Sequence, residues 1–451
     1  MARSPRAAWL VVATVCVGAF MGQLDASIVA LAFPTLQHDF GAGLGAVTWV
    51  GLSYLLTLVA LVPAVGRLGD MAGRKLLYTY GFLVFIAGSA LCGLAPDLAS
   101  LVGFRVVQAV GAAMLQANSV AIIALAVPRG SLGRAIGVQG AAQAVGLALG
   151  PAVGGLLLAL GGWRLLFLVN VPFGLLGVAA GLLFIPRSRD LARRVPYDWP
   201  GLALFVPAVV LVVGAVSLGN AAGWTSPVVA GALAAGAGLA AAFVLREHRT
   251  KDRMLDPGLF RAPAFSAGVA GGLLSYLVMF GVLFVVPFLL ERGDGLSTGM
   301  TGLELAVMPL LLGVTAPLAG RAADRLGARP LTVLGMLLVA GALAVLALAP
   351  PGQVLLMAGL AVIGIGLGLF TPPNNAAIMA SAPRSKAGVA SGVLNMTRGM
   401  GTALGLALTG LVYGLAASPS EGFRSSAGFL AVIAGLAVVV AAARSAARRA
   451  G

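Results

Sequence analysis

GRLGDMAGRK at 66–75 and GRAADRLGAR at 320–329 are two copies of one pattern. Gly66 aligns with Gly320, Asp70 with Asp324 and Gly73 with Gly327. Each copy sits between two long apolar runs, and the second copy lies eight runs after the first. Six helices, an inserted pair and six more would place each copy between the second and third helix of its half. Parallel repeats about an axis along the membrane normal are a signature of transporters. The glycines permit tight turning and close helix approach. Asp70 is a charge at the edge of an apolar stretch, able to accept hydrogen bonds from helix-end amides or from Arg74. The duplicated acid therefore reads as a conformational latch, holding two bundles together in one state and releasing them in the other. Arg67 and Lys75 read as solvated topology charges.

Working outward, runs of about 20 mostly apolar residues, the length that crosses a bilayer, number fourteen. They cover 9–34, 46–65, 76–95, 99–127, 133–160, 163–185, 199–218, 227–245, 264–290, 301–319, 330–349, 353–377, 386–415 and 427–443. With the N-terminus cytoplasmic, 24 of the 29 basic residues fall in cytoplasmic loops and termini. Three (Arg164, Arg292 and Arg424) fall outside, and Arg105 and Arg398 lie within runs. Short cytoplasmic loops are enriched in Lys and Arg, so this asymmetry fixes both termini inside. The expected division is a six-helix bundle at 9–185, a basic linker at 186–198, an inserted pair at 199–245, a second basic linker at 246–263, a six-helix bundle at 264–443 and a basic tail at 444–451. The linkers are suited to anionic lipid.

Composition agrees. Of 451 residues, 60% are apolar and 10% charged, against about 45–50% and about 25% in soluble domains. A soluble enzyme and an unfolded chain are both excluded. The net charge of +15 is explained by topology and requires no nucleic acid. Cys16 and Cys92 lie in apolar runs and offer no disulfide framework or metal spacing. No metal or other cofactor is expected. Two histidines in the chain leave little for a membrane enzyme, and no phosphate-binding loop suggests an ATP motor.

Five further segments, with the 66–75 motif, carry a resemblance. GAFMGQLDASIVALAFP lies in the first run at 18–34, LVGFRVVQAVGAAM in the fourth and GLALGPAVGG in the fifth. WRLLFLVNVPFG at 163–174, RGMGTALG at 398–405 and the 66–75 motif complete the set. In this order they resemble the fourteen-span drug:proton antiporter branch of the major facilitator superfamily. Ser27 stands where that branch usually has Thr, and Ala109 where it has Gly. Gly146, Gly150, Pro151, Gly154 and Gly155 match its antiporter motif. The resemblance implies an all-α fold of fourteen spans in a 6+2+6 order. It also implies export of hydrophobic or cationic compounds, drugs or antibiotics among them, driven by proton entry through the plasma membrane.

An ionisable group within a span is a functional hypothesis by default. Asp25 lies roughly 24 Å along its run from Trp9, at 1.5 Å per residue, at a depth similar to that of Arg105. The resemblance places the first and fourth helices on the central cavity. Asp25 can therefore face Arg105, either as the proton or cation site or as a structural ion-pair partner. Gln108 shares a helix face with Arg105. Glu304 reads as a boundary acid or a second coupling site. Arg398 and Asn118 read as polar groups of the cavity. Gly146, Gly150 and Gly154 form a close-packing stripe, and Pro151 permits a bend. A proton-coupled exporter of drugs, functional as a monomer, is the expectation. An exporter of one native metabolite stands second, and a receptor or channel third.

Overall fold

The computed structural model describes residues 5–187, 197–250, 253–293, 295–296, 298–349 and 352–443. The expected tail at 444–451 lies outside the described residues, as do most of the first linker and part of the second. Among the described residues there is no β-strand. The long helices are α1 (Pro5–Ile28), α2 (Trp49–Ala72), α3 (Arg74–Gly93), α4 (Leu98–Ala126), α5 (Leu132–Gly161), α6 (Asn170–Phe184) and α7 (Trp199–Ala222). They continue as α8 (Pro227–Arg249), α9 (Pro263–Pro287), α10 (Thr298–Leu326), α11 (Ala328–Leu348), α12 (Gln353–Ser381), α13 (Ala387–Gly414) and α14 (Pro419–Ala443).

Among the described residues, twelve helical segments are long and apolar enough to cross a membrane, or thirteen where α5, bent by 47° at position 151, is counted as one span. One of the fourteen runs read from the sequence is not among them. The run at 386–415 does form a helix, α13, but Arg398 and closely spaced Gly and Thr make it too polar to qualify alone. Burial against its neighbours compensates: Val389, Ala390, Val393, Thr397 and Gly401 all lie in the interior. The 66–75 motif is corrected too. Gly66 and Asp70 lie in the last turns of α2, not in a loop, and Gly320 and Asp324 likewise end α10. The break falls at Gly73 (φ 111°) and Gly327 (φ 82°), in backbone regions that favour glycine.

The helix contacts repeat with a period of eight. α1 packs on α4, α5 and α6, and α9 packs on α12, α13 and α14. α2 and α3 pack on α4, and α10 and α11 on α12. α3 meets α6 as α11 meets α14. The two sets touch through α2 against α13 and, in the same relation, α10 against α5. α7 and α8 pair with each other, and α7 leans on α2 and α13. Their ends are pinned by Asp198, which caps α7 by accepting from the Gly201 amide (3.0 Å) and accepts from Arg246 Nη2 at 2.7 Å. At the opposite end of the molecule Asp97 caps α4, and the Ser100 amide (2.8 Å) holds its carboxyl below the usual carboxylate range.

Candidate functional site

Four helices of the first set converge on Asp25. Arg105 Nη1 donates to Asp25 Oδ2 at 2.8 Å, and Gln108 Nε2 and Asn170 Nδ2 both donate to Oδ1 at 2.9 Å. Arg105 Nη1 also donates to Gln108 Oε1 (2.6 Å), and Gln108 Nε2 reaches Ser89 Oγ (2.6 Å). Arg105 Nε donates to the Val50 carbonyl at the start of α2 (3.0 Å), and its guanidinium stacks 4.1 Å from the centre of the Tyr54 ring. Asp25, Gln108 and Asn170 are fully buried, and Arg105 nearly so. The carboxylate thus has three donors, one of them a cation, which is what a charge needs to survive out of water. The network lies buried among the helices of the first set. Sequence reading paired Asp25 with Arg105 by depth. It did not select Asn170 or Ser89, because nothing local distinguishes a buried amide that aims at an acid from one that caps a helix break.

The second set shows what the fold itself requires at this place. A Cβ on Gly146 of α5 would lie 2.6 Å from the Phe20 carbonyl, and one on Gly401 of α13 would lie 2.6 Å from the Leu273 carbonyl. Gly111 of α4 nests on Phe85 as Gly366 of α12 nests on Val339. These matched contacts superpose Asp25 on Val278, Arg105 on Leu360 and Gln108 on Ile363. All three of those are fully buried and apolar. Packing therefore has no need of charge here, and the ionic network of the first set is an addition to the fold.

A second arrangement joins the two sets at one end. Asp70 is fully buried and pairs with Arg74. It accepts from the amides of Gly388 (2.8 Å) and Val389 (3.0 Å), which open α13. Arg74 donates onward to the Arg384 carbonyl at 3.1 Å. Asp324 does the same in mirror order, accepting from Gly133 (2.8 Å) and Arg134 (3.0 Å) at the start of α5. An anion on free helix-terminal amides is favoured by both the hydrogen bonds and the helix dipole. Close approach makes the contact possible. A Cβ on Gly133 would lie 2.5 Å from the Gly320 carbonyl, and one on Gly388 would lie 2.5 Å from Asp70 Oδ1. Gly66 meets Gly388 backbone to backbone in the same way. Sequence reading found Gly66, Asp70, Gly320 and Asp324 but missed Gly133 and Gly388. A signal existed: Gly133, Gly137, Gly146 and Gly150 recur with the same spacing as Gly388, Gly392, Gly401 and Gly405.

The remaining sequence candidates scatter. Asn118 is buried beside Gly69 and donates to the Met114 carbonyl (3.0 Å), near the Asp70 end. Glu304 is buried at the other end of α10, where Gln353 donates to its Oε1 at 2.7 Å, and it touches neither Asp25 nor Arg398. Arg398 donates to Asn395 Oδ1 (3.1 Å) and borders a cavity between α9, α12 and α13. Gly146, Gly150 and Gly154 face α1 through Phe20, Ser27 and Ile28, whereas a side chain on Gly155 would meet open space. The bend in α5 falls at Pro151. At Gly150 a Cβ would lie 2.5 Å from Ser27 Cβ. Gly150→Ala is therefore expected to destabilise the protein by about 1–3 kcal/mol, the usual overpacking cost. Ser27→Gly in the same chain should recover much of it, as read from melting in detergent. Equal melting of Gly150→Ala and the native protein would refute the contact.

Comparison with known proteins agrees with this architecture. The family model described as Major Facilitator Superfamily matches residues 15–292 and 268–450. A riboflavin transporter of Clostridioides difficile is 34% identical over 92% of this chain and 91% of its own. A multidrug resistance protein of Mycobacterium tuberculosis is 34% identical, covering 88% of this chain and 74% of its own. A tetracenomycin C resistance and export protein of Streptomyces glaucescens is 33% identical, covering 90% and 76%. Among solved structures, a human organic anion transporter shares the fold with a TM-score of 0.71 at 18% identity, covering 97% of this chain and 100% of its own. The chain belongs to the major facilitator superfamily; it is a multi-pass secondary-active transporter, not an enzyme.

Proposed function

We propose that this member of the major facilitator superfamily exports lipophilic small molecules in exchange for protons, by alternating access between two six-helix bundles, α1–α6 and α9–α14. The observation that carries the reading is the Asp25 network, built into one half at the place where the other half has Val278, Leu360 and Ile363. A buried charge that packing does not require is an expense without a structural return, and proton transfer supplies one. The basic loops and both termini face the cytoplasm of the plasma membrane in this reading. The paired latches of Asp70 and Asp324 then close the cytoplasmic end, and the basic linkers lie on anionic lipid. The transporter works as a monomer and needs no cofactor.

Helix α2 couples the two sites. Its first turn is held by Arg105 through the Val50 carbonyl, and its last by Asp70 against α13. Protonation of Asp25 removes the charge that fixes Arg105. The guanidinium then re-pairs, the hold on α2 loosens, and the distant latch is weakened. The two latch states differ in energy by what these contacts contribute, so proton binding biases their populations.

The riboflavin transporter among the relatives favours a second reading, export of one native metabolite. One experiment serves both. In inverted vesicles an acid interior should drive accumulation of at least one of riboflavin, ethidium and fluorescein, and nigericin should abolish it. Uptake of one solute supports the narrow reading and uptake of several the broad one. Uptake that persists after the gradient is collapsed, or no uptake of any of them, would overturn proton exchange.

A further inference from the structure

We propose that Glu247 is a regulatory proton site: when the cytoplasm turns acid, its protonated carboxyl holds the strap at 253–258 over the Asp70 latch and keeps the latch shut. The proposal deepens the exporter reading above and rests on its placing of this end in the cytoplasm. Glu247 lies in the last turn of α8 and is 3% exposed. Its Oε1 accepts from the Met254 amide at 2.9 Å, whereas its Oε2 is buried without a hydrogen-bond partner. The charged groups around it, among the described residues, are few. Asp198, capping α7, has a fully buried side chain and is taken up by Arg246 at 2.7 Å. Arg253 is the nearby cation, with 42% of its side chain exposed. Asp256 pairs with Lys386, and Tyr197 lies near Arg67. His248 and Arg249 are exposed on α8 itself. No described cation bonds Oε2, and a second carboxylate stands close by. A proton on Oε2 removes a charge that this site does not solvate.

The strap reaches both partners of the latch. Met254 is buried in a cluster with Ala64 of α2, Phe205 of α7, Phe243 of α8 and Met396 of α13. Asp256 pairs with Lys386, which directly precedes α13 and lies two positions before Gly388, whose amide donates to Asp70. Tyr197 donates to the Ala64 carbonyl at 3.1 Å, fixing the start of the inserted pair to the helix that ends in Asp70. The inserted pair and its strap thus bridge α2 and α13 where Asp70 joins them. A closed strap buries Glu247, and an open one returns the carboxyl to water. Ionisation in the closed form sets a second negative charge near Asp198, and the loss of hydration outweighs one neutral amide donor. The closed form therefore binds the proton more tightly, so by linkage acid closes the strap and alkali opens it. On opening, the Met254 bond is lost, Asp256 leaves Lys386, and the start of α13 is free to part from Asp70. An exchanger that admits protons thereby slows as the compartment it feeds acidifies.

The test is hydrogen exchange in the full chain in lipid nanodiscs, from about pH 5.5 to about pH 8.5, the range open to a buried carboxyl. Native and Glu247→Gln proteins are compared at each pH, which cancels the intrinsic pH dependence of exchange. Glutamine keeps the acceptor for Met254 and cannot ionise. The two proteins should protect 253–258 equally in acid, and the native strap should be about tenfold less protected at the alkaline end. The latch is read by maleimide labelling of Ser391→Cys with Cys16 and Cys92 replaced, again with the two proteins paired at each pH. Labelling should rise as the native strap opens and stay low in Glu247→Gln. Lys386→Gln should leave the strap response in place and raise labelling at every pH. A difference between native and Glu247→Gln that is the same at every pH, or absent at all of them, would overturn the proton site. Labelling unmoved by strap opening or by Lys386→Gln would overturn its hold on the latch. Loss of gradient-driven flux with the strap response intact would instead overturn the exporter reading and leave the site standing.

Discussion

Asp25→Asn is expected to lower proton-gradient-driven transport at least tenfold in vesicles, the largest functional effect of any single change in the first half. The amide can still meet Gln108 and Asn170, but it cannot exchange a proton and it leaves Arg105 charged and buried. Breaking a buried pair from one side typically costs about 3–5 kcal/mol, so loss of activity alone would not separate coupling from folding. The second half supplies the control. Asp25→Val, Arg105→Leu, Gln108→Ile and, to avoid an orphaned amide, Asn170→Leu install the apolar solution found at Val278, Leu360 and Ile363. Replacing a buried ionic group by well-packed apolar side chains is often neutral or stabilising. This variant should be folded and monodisperse, melt close to the native protein, and show no dependence of flux on the pH gradient. A folded quadruple variant that still couples flux to protons would end the assignment of Asp25.

Opening the latch at Asp70 should have the next largest effect. Asp70→Asn is expected to reduce transport about tenfold or more, and Asp324→Asn by less. Both acids accept from two helix-start amides, but Asp70 is fully buried and also pairs with Arg74. The described contacts of Asp324 are the two amides, at a partly exposed position. Charge-assisted hydrogen bonds are roughly twice as strong as neutral ones, and the amide variants keep at most the neutral part. Gly388→Ala attacks the same contact from the other side, because its Cβ has no room against Gly66 and Asp70. The readout is a cysteine placed at Ser391, fully buried in α13, in a chain with Cys16 and Cys92 replaced. Maleimide labelling from the cytoplasmic side should rise in Asp70→Asn and Gly388→Ala. Labelling equal to that of the native latch in both variants would show that this contact does not close the end.

The relative size of the two latch effects also tests the duplication. Identical loss on Asp70→Asn and Asp324→Asn would mean that burial and the Arg74 pair add nothing to the bare helix-terminal contact.

Much of this protein was legible in one dimension. Hydrophobicity and the placement of Lys and Arg are local properties of short windows, and they give a polytopic helical membrane protein directly. The repeated motif gives the eight-helix shift, and helical rise gives the common depth of Asp25 and Arg105. α13, too polar to qualify as a span by its own composition, lies buried among other helices and so tolerates Arg398. What depends on how helices rotate against one another was not legible. Whether Asp25 faces a cavity or the interior of α1, α3, α4 and α6 is set by that rotation. So is the convergence of Asn170 on Asp25, 145 positions away, and of Ser89 on Gln108, 19 positions away. Sequence alone determined that the chain spans a membrane as a duplicated helical transporter bearing a few intramembrane charges. Tertiary structure decided that Asp25 is stitched into one half, that Asp70 and Asp324 at helix ends close on the helix starts of the opposite half, and that Arg398 Nε is left without an acceptor. The reason is that burial is paid by each residue separately, whereas a hydrogen bond requires two groups whose meeting only the packed bundle arranges.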